Sequence, residues 1–158
     1  MTRSRHRRRA VREVMRKTLI VCIMSSALMA GSINSKNFGS ATVSEVTSIY
    51  DGDTFRANIA GWPDIIGERI PIRIKGIDTP ELRGKCQQEK ILARKAKQIT
   101  VEMLRNAKVI ELRNMHRGKY FRIVADVYAN GKNVAKELVN RGLAVLYDGG
   151  RKNKDWCK

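Results

Sequence analysis

Arg69-Ile-Pro-Ile-Arg-Ile-Lys-Gly-Ile77 is the stretch on which the fold turns. Ile70, Ile72 and Ile74 face one way, and Pro71, Arg73 and Lys75 face the other. This period of two is that of a half-buried strand. Upstream, Val43 to Ile49 has the Val, Thr and Ile content of a strand. Asp51-Gly52 is a tight-turn signal, and Thr54 to Ile59 follows as a second strand. Residues 60–67 read as a loop. Downstream, Lys85 to Lys108 is a helix, with Leu92, Ala96, Ile99 and Met103 on its apolar face. Val109 to Met115 is a short strand, His116 to Lys119 a turn, and Tyr120 to Tyr128 a further strand. Asn130-Gly131 marks another turn. Asn133 caps a short helix, Val134 to Arg141, which Gly142 ends, and Leu143 to Tyr147 is a last extended piece. Five short strands interrupted by a helix predict an α+β, mainly β fold: a five-stranded barrel of OB type with two or three helices.

Composition fits one globular domain. Hydrophobic residues make up 42% and charged residues 30% of 158, which excludes a disordered chain. The net charge is +17. Positions 1–17 carry eight cations against one acid, so +7 lies there and +10 on the rest. A body that is basic in its own right points to a polyanionic partner, nucleic acid or an anionic membrane surface.

The N-terminus reads as an export signal. A basic stretch ends at Lys17, an apolar run follows from Thr18 to Ala30, and Gly31-Ser32 supplies small residues. The expected division is a leader over 1–31, a linker over 32–41 and the domain over 42–158. A start at Met15 gives a more ordinary leader. An uncleaved signal anchor is the alternative, and it would make this a membrane-anchored interaction protein. Export predicts a periplasmic or secreted protein. Cys22 leaves with the leader, so the mature chain keeps Cys86 and Cys157. An even pair in an oxidising compartment is expected to be a disulfide, with two unrelated thiols as the alternative.

Two acidic tetrapeptides invite chemistry: Asp51-Gly-Asp-Thr54 and Asp78-Thr-Pro-Glu81. Each alone is as easily a turn or a helix cap. Together they lie at or just after strand ends, where a barrel rim would gather them. Carboxylates converging on a rim need a cation between them, and hard oxygen ligands select Ca²⁺ or Mg²⁺ over zinc. Asp53, Asp78 and the Thr79 carbonyl would form part of such a cage. Arg73 and Arg122 are solvated charges or phosphate clamps; a guanidinium grips two phosphate oxygens and never loses its proton.

Ile49-Tyr-Asp-Gly-Asp-Thr54, Ile72-Arg-Ile-Lys-Gly-Ile-Asp-Thr-Pro-Glu81, Lys119-Tyr-Phe-Arg122 and Leu138-Val-Asn-Arg-Gly-Leu-Ala144 resemble, in order and spacing, the signatures of the staphylococcal nuclease family. The resemblance runs from about Val43 to Tyr147. It implies an OB-fold endonuclease that hydrolyses DNA and RNA with Ca²⁺, shows little sequence selectivity and leaves 3′-phosphate ends. It implies Asp53, Asp78 and Thr79 as metal ligands, Arg73 and Arg122 on the reacting phosphate, and Glu81 on the attacking water. Lys119 and Tyr120 resemble contacts to a neighbouring phosphate. Nothing indicates an obligatory protein partner, and a monomer is expected. The rival is a non-catalytic OB module that binds single strands. Phe121 stands where the family has glycine, Tyr147 is followed by Asp148, and a cysteine staple is expected in place of a third long helix.

Overall fold

The computed structural model describes residues 36–158. The leader over 1–31, Cys22 and positions 32–35 of the linker lie outside the described residues.

Period-two segments give the strands, and hydrogen-bond closure makes them a barrel. β1 (Ala41–Ile49) runs antiparallel to β2 (Thr54–Ile59), which runs antiparallel to β3 (Ile70–Ile74). β4 (Ile77–Asp78) follows β3. β5 (Ile110–Arg117) pairs with β1 and with β6 (Ile123–Ala129), and β3 lies parallel to β6 through Ile72↔Ile123, Arg73↔Val124 and Ile74↔Ala125. That parallel seam closes a five-stranded mixed barrel of OB type. The β1–β5 edge is lengthened by Phe38 N–H donating to the Met115 carbonyl, and Met115 N–H to that of Gly39. β7 (Lys132–Asn133) adds to β6, while β8 (Val145–Leu146) pairs with β4 as a separate ribbon. Among the described residues the three α-helices are α1 (Asp64–Gly67, one turn), α2 (Gln87–Arg105) and α3 (Val134–Asn140).

The barrel interior holds Phe55, Ile72, Ile74, Leu112 and Val127, all fully buried, and Val134 and Leu138 of α3 join the same core. The expected alternation holds along β3: Ile70, Ile72 and Ile74 point inward. The extended stretch does not run unbroken to Ile77, because Gly76 takes φ +81° and turns the chain before β4. That left-handed conformation is cheap only for glycine.

Other boundaries shift for local reasons. The turn expected over 116–119 lies later, because β5 continues to Arg117. Lys119–Phe121 form a 3₁₀ turn with Tyr120 at φ 56° and Phe121 at φ 58°, and β6 starts only at Ile123. The loop over 60–67 contains the single turn of α1 after Pro63. The buried face of α2 is also displaced: Ala93, Ala96, Thr100 and Leu104 are buried, whereas Leu92, Ile99 and Met103 only flank the core. Small residues at the centre of that face let the helix approach the Asp51–Asp53 turn closely.

Gly52 marks the contact. A Cβ there would lie 2.8 Å from Ala96 Cβ and 2.9 Å from Thr79 Cγ2. The Gly52 carbonyl also accepts a 2.7 Å hydrogen bond from the Thr100 hydroxyl. Gly52→Ala is therefore expected to destabilise the fold by about 1–3 kcal/mol through overpacking. Urea unfolding checks this, and an unchanged midpoint would show that the turn moves freely off the helix.

Candidate active site

The two acidic segments meet at the rim because the backbone places them there. Asp51 accepts from the Asp53 N–H (3.1 Å), a local turn that the short Asp side chain makes itself. The Asp53 carbonyl then accepts from Ile74 N–H (2.8 Å), tying the turn to the end of β3. Four residues on, β4 presents Asp78 and Thr79 to the same place: Thr79 N–H donates to Asp53 Oδ2 at 3.3 Å. Asp51, Asp53, Asp78 and Thr79 are all buried.

Arg73 links the acids. Its Nη1 donates to Asp53 Oδ1 (2.7 Å), and its Nη2 reaches Asp78 Oδ1 (3.4 Å) and the Ile77 carbonyl (3.3 Å). The Thr54 hydroxyl donates to Asp53 Oδ1 at 2.8 Å. The pair expected to share a cation thus shares one guanidinium here. Arg73 also opens onto a cleft of about 740 Å³ that Lys75, Lys119, Arg122, Tyr147 and Lys152 line with it. Arg122 is on this face of the barrel, and its buried Nε has no hydrogen-bond partner. Lys119 lines the cleft as well. Tyr120 does not: it is 91% exposed at the tip of the strained turn.

Two residues at the site carried no readable signal in the sequence. Lys152, in the irregular segment after β8, places Nζ 2.8 Å from Asp78 Oδ1 and 2.6 Å from Glu81 Oε1. Glu89, in the first turn of α2, accepts from the backbone N–H groups of Glu81 (3.3 Å) and Lys85 (2.9 Å). It thereby fixes the loop that carries Glu81. Beside it Cys86 and Cys157 form the expected disulfide, with Cα atoms 5.9 Å apart and a sequence separation of 71. Closing a loop of that length is worth about 4 kcal/mol in the chain-entropy description. Glu89 and the two cysteines also cluster at metal-ligand distances, but sulfurs bonded to each other are not thiolate ligands.

Electrostatics at the rim favour a cation. Burial raises the Asp51 carboxyl to about 7, helped by repulsion from Asp53 and Glu81. Burial also raises Asp53, and the Arg73 guanidinium only partly offsets this. Burial works against the Lys152 ammonium, yet its hydrogen bonds to Asp78 and Glu81 hold its pKa above the ordinary value.

The raised Asp51 pKa has a consequence for stability. The folded state holds the Asp51 proton more tightly than the unfolded chain, so this group disfavours folding above about pH 7. That penalty fades as pH falls toward the unfolded value near 4. In chelator, the melting temperature of the wild type should therefore rise relative to that of Asp51→Asn between pH 8 and pH 5. Parallel pH profiles of the two proteins would contradict this.

The profile of the family described as staphylococcal nuclease homologue matches residues 71–156. A probable endonuclease lcl3 of Pyrenophora tritici-repentis is 31% identical over 126 residues, covering 66% of this chain and 46% of its own. The protein of that name from Aspergillus flavus is 30% identical over 149 residues, covering 75% and 53%. The one from Neosartorya fischeri is 33% identical over 132 residues, covering 66% and 44%. The chain thus spans about half the length of the curated relatives it matches. The matched span runs from β3 into the tail beyond β8 and takes in Arg73, Asp78, Glu81 and Arg122. With a barrel closed through the β3–β6 seam and these side chains collected at its rim, the chain belongs to the family of staphylococcal nuclease homologues.

Proposed function

We propose that this chain is a Ca²⁺-dependent nuclease, hydrolysing phosphodiester bonds of DNA and RNA with little sequence selectivity and leaving 3′-phosphate ends. One observation carries the reading: Asp53 and Asp78 are buried side by side under a shared arginine, at the edge of a cleft that a second arginine enters with an unpartnered Nε. Three buried carboxylates on one rim are an expensive arrangement for stability alone. The endonuclease names of the relatives support the reading, and the family generally uses a metal ion.

The donor set fits a hard divalent cation: Asp53, Asp78 and the Thr79 carbonyl offer only oxygen. Bound there, the cation would supply charge neutralisation to the phosphate and to its attacking water. The protein's own groups do the rest. Glu81 takes a proton from the water as the water oxygen attacks phosphorus, and the P–O5′ bond breaks with O5′ taking up a proton from solvent to leave as the 5′-hydroxyl. Arg122 and Arg73 grip the non-bridging oxygens as charge accumulates on them. Lys119 meets an adjacent phosphate, and Tyr120 extends that contact beyond the cleft. The basic body of the chain attracts the polyanion irrespective of sequence.

Export is the proposed destination, with a monomer as the working form. The Cys86–Cys157 bond suits an oxidising compartment. Plasmid DNA and a single-stranded RNA, incubated with mature protein in Ca²⁺ and then in chelator, test the activity. Cleavage should appear only with Ca²⁺, with phosphate on the 3′ ends. Binding without cleavage in Ca²⁺ would make the chain a nucleic-acid-binding module instead.

A further inference from the structure

The tail after β8 folds back across the acidic rim. Lys152 lies where three clefts meet, one lined by Gly76, Tyr147 and Arg151, one by Glu81, Arg83 and Trp156, and one by Arg73 and Arg122. Its ammonium contacts one carboxylate oxygen of Asp78 and one of Glu81. Five positions later the chain is anchored through Cys157 to Cys86, at the start of α2. Trp156, between them, is buried at 7% exposure. The tether keeps the lysine's segment beside the acids and so raises its effective concentration there.

An ammonium on Asp78 Oδ1 opposes a divalent cation on the same carboxylate. A Ca²⁺ ligand lies about 2.3–2.6 Å from the ion, and a lysine nitrogen at hydrogen-bond distance from the same oxygen would add a like charge beside it. We propose that Lys152 is an internal counter-ion that competes with the divalent cation for Asp78 and holds Glu81 until the cation displaces it. The Cys86–Cys157 bond sets the strength of that competition. The inference rests on the metal-site reading above. Lys152 is a positioning residue in this role: it neutralises the rim of the cation-free protein and sets the cation concentration at which the site fills.

The test is direct Ca²⁺ titration by calorimetry on purified, cation-free protein with no nucleic acid present. Lys152→Met should bind Ca²⁺ about fivefold more tightly than wild type, the scale of a half-exposed ion pair lost from the competing state. Lys152→Arg keeps the charge and should stay near wild type. Cys86→Ser with Cys157→Ser frees the tail and should also tighten binding, and adding Lys152→Met to that pair should change little further. Equal or weaker Ca²⁺ binding by Lys152→Met overturns the proposal while leaving the metal site standing. So does full additivity of the tail and lysine changes. If neither wild type nor any variant binds Ca²⁺, the metal-site reading falls and this inference with it.

Discussion

Arg122→Ala is expected to slow phosphodiester cleavage by about 10²–10³-fold, the scale of losing one preorganised donor to a developing charge, while leaving the melting temperature near that of wild type. The Arg122 Nε is buried without a partner, and its guanidinium makes none of the ion pairs found among the described residues. Removing it strands no carboxylate. Nucleic-acid affinity should change little, because the body carries many other cations. The rate falls because the interaction is made chiefly in the transition state. Single-turnover cleavage at saturating Ca²⁺, set beside thermal melting and filter binding, separates the three quantities. A variant that cleaves normally, or that loses stability in step with rate, would remove Arg122 from the reaction.

Arg73→Ala should be at least as damaging to cleavage and should also unsettle the fold. On the sequence, Arg73 reads as a solvated charge or a phosphate clamp on the polar face of its strand, and a solvated charge could be removed at little structural cost. The structure corrects this: the Arg73 side chain is only 16% exposed and holds Asp53, itself at 3%. Taking away one partner of a buried ion pair costs about 3–5 kcal/mol. In chelator, chemical unfolding should show a loss of that order for Arg73→Ala. The doubly changed Arg73→Ala with Asp53→Asn should recover much of it, because no uncompensated charge remains. Should Arg73→Ala unfold like wild type, the Arg73–Asp53 contact is dispensable to stability. Should the double change be no better than the single one, the cost does not come from the stranded carboxylate.

The barrel was readable because its signals are local. Isoleucine alternation in β3, the Asp-Gly and Asn-Gly turns and the capped short helix each state their own conformation within a few residues. The catalytic candidates were readable because strand ends carried them, and the rim does gather Asp53, Asp78, Arg73 and Arg122. What stayed hidden depends on contacts between distant segments. Asp51 looked like a turn residue, and only packing of α2 against Gly52 shows why it is buried. Thr100 breaks the apolar face of α2 on paper, yet its hydroxyl holds the Gly52 carbonyl. Lys152 is one basic residue in a polar tail, with no periodicity to distinguish it. Its place follows from a disulfide that pins the chain five residues on. The turn at Tyr120 and Phe121 was set too early, since neither side chain advertises a left-handed backbone.

The parallel seam between β3 and β6 has a consequence in time rather than in space. Arg73 lies within the seam and Arg122 immediately before its first paired residue, Ile123. The two cations are far apart along the chain and become neighbours only when the seam forms. Such non-local parallel pairing is slow, because the loop entropy between the strands is lost before any contact repays it. Until then the two guanidiniums sit on separate segments of the chain. On the roles proposed above for Arg73 and Arg122, the pair that grips the phosphate is therefore assembled by a step of folding, the formation of this seam, and not by any local element.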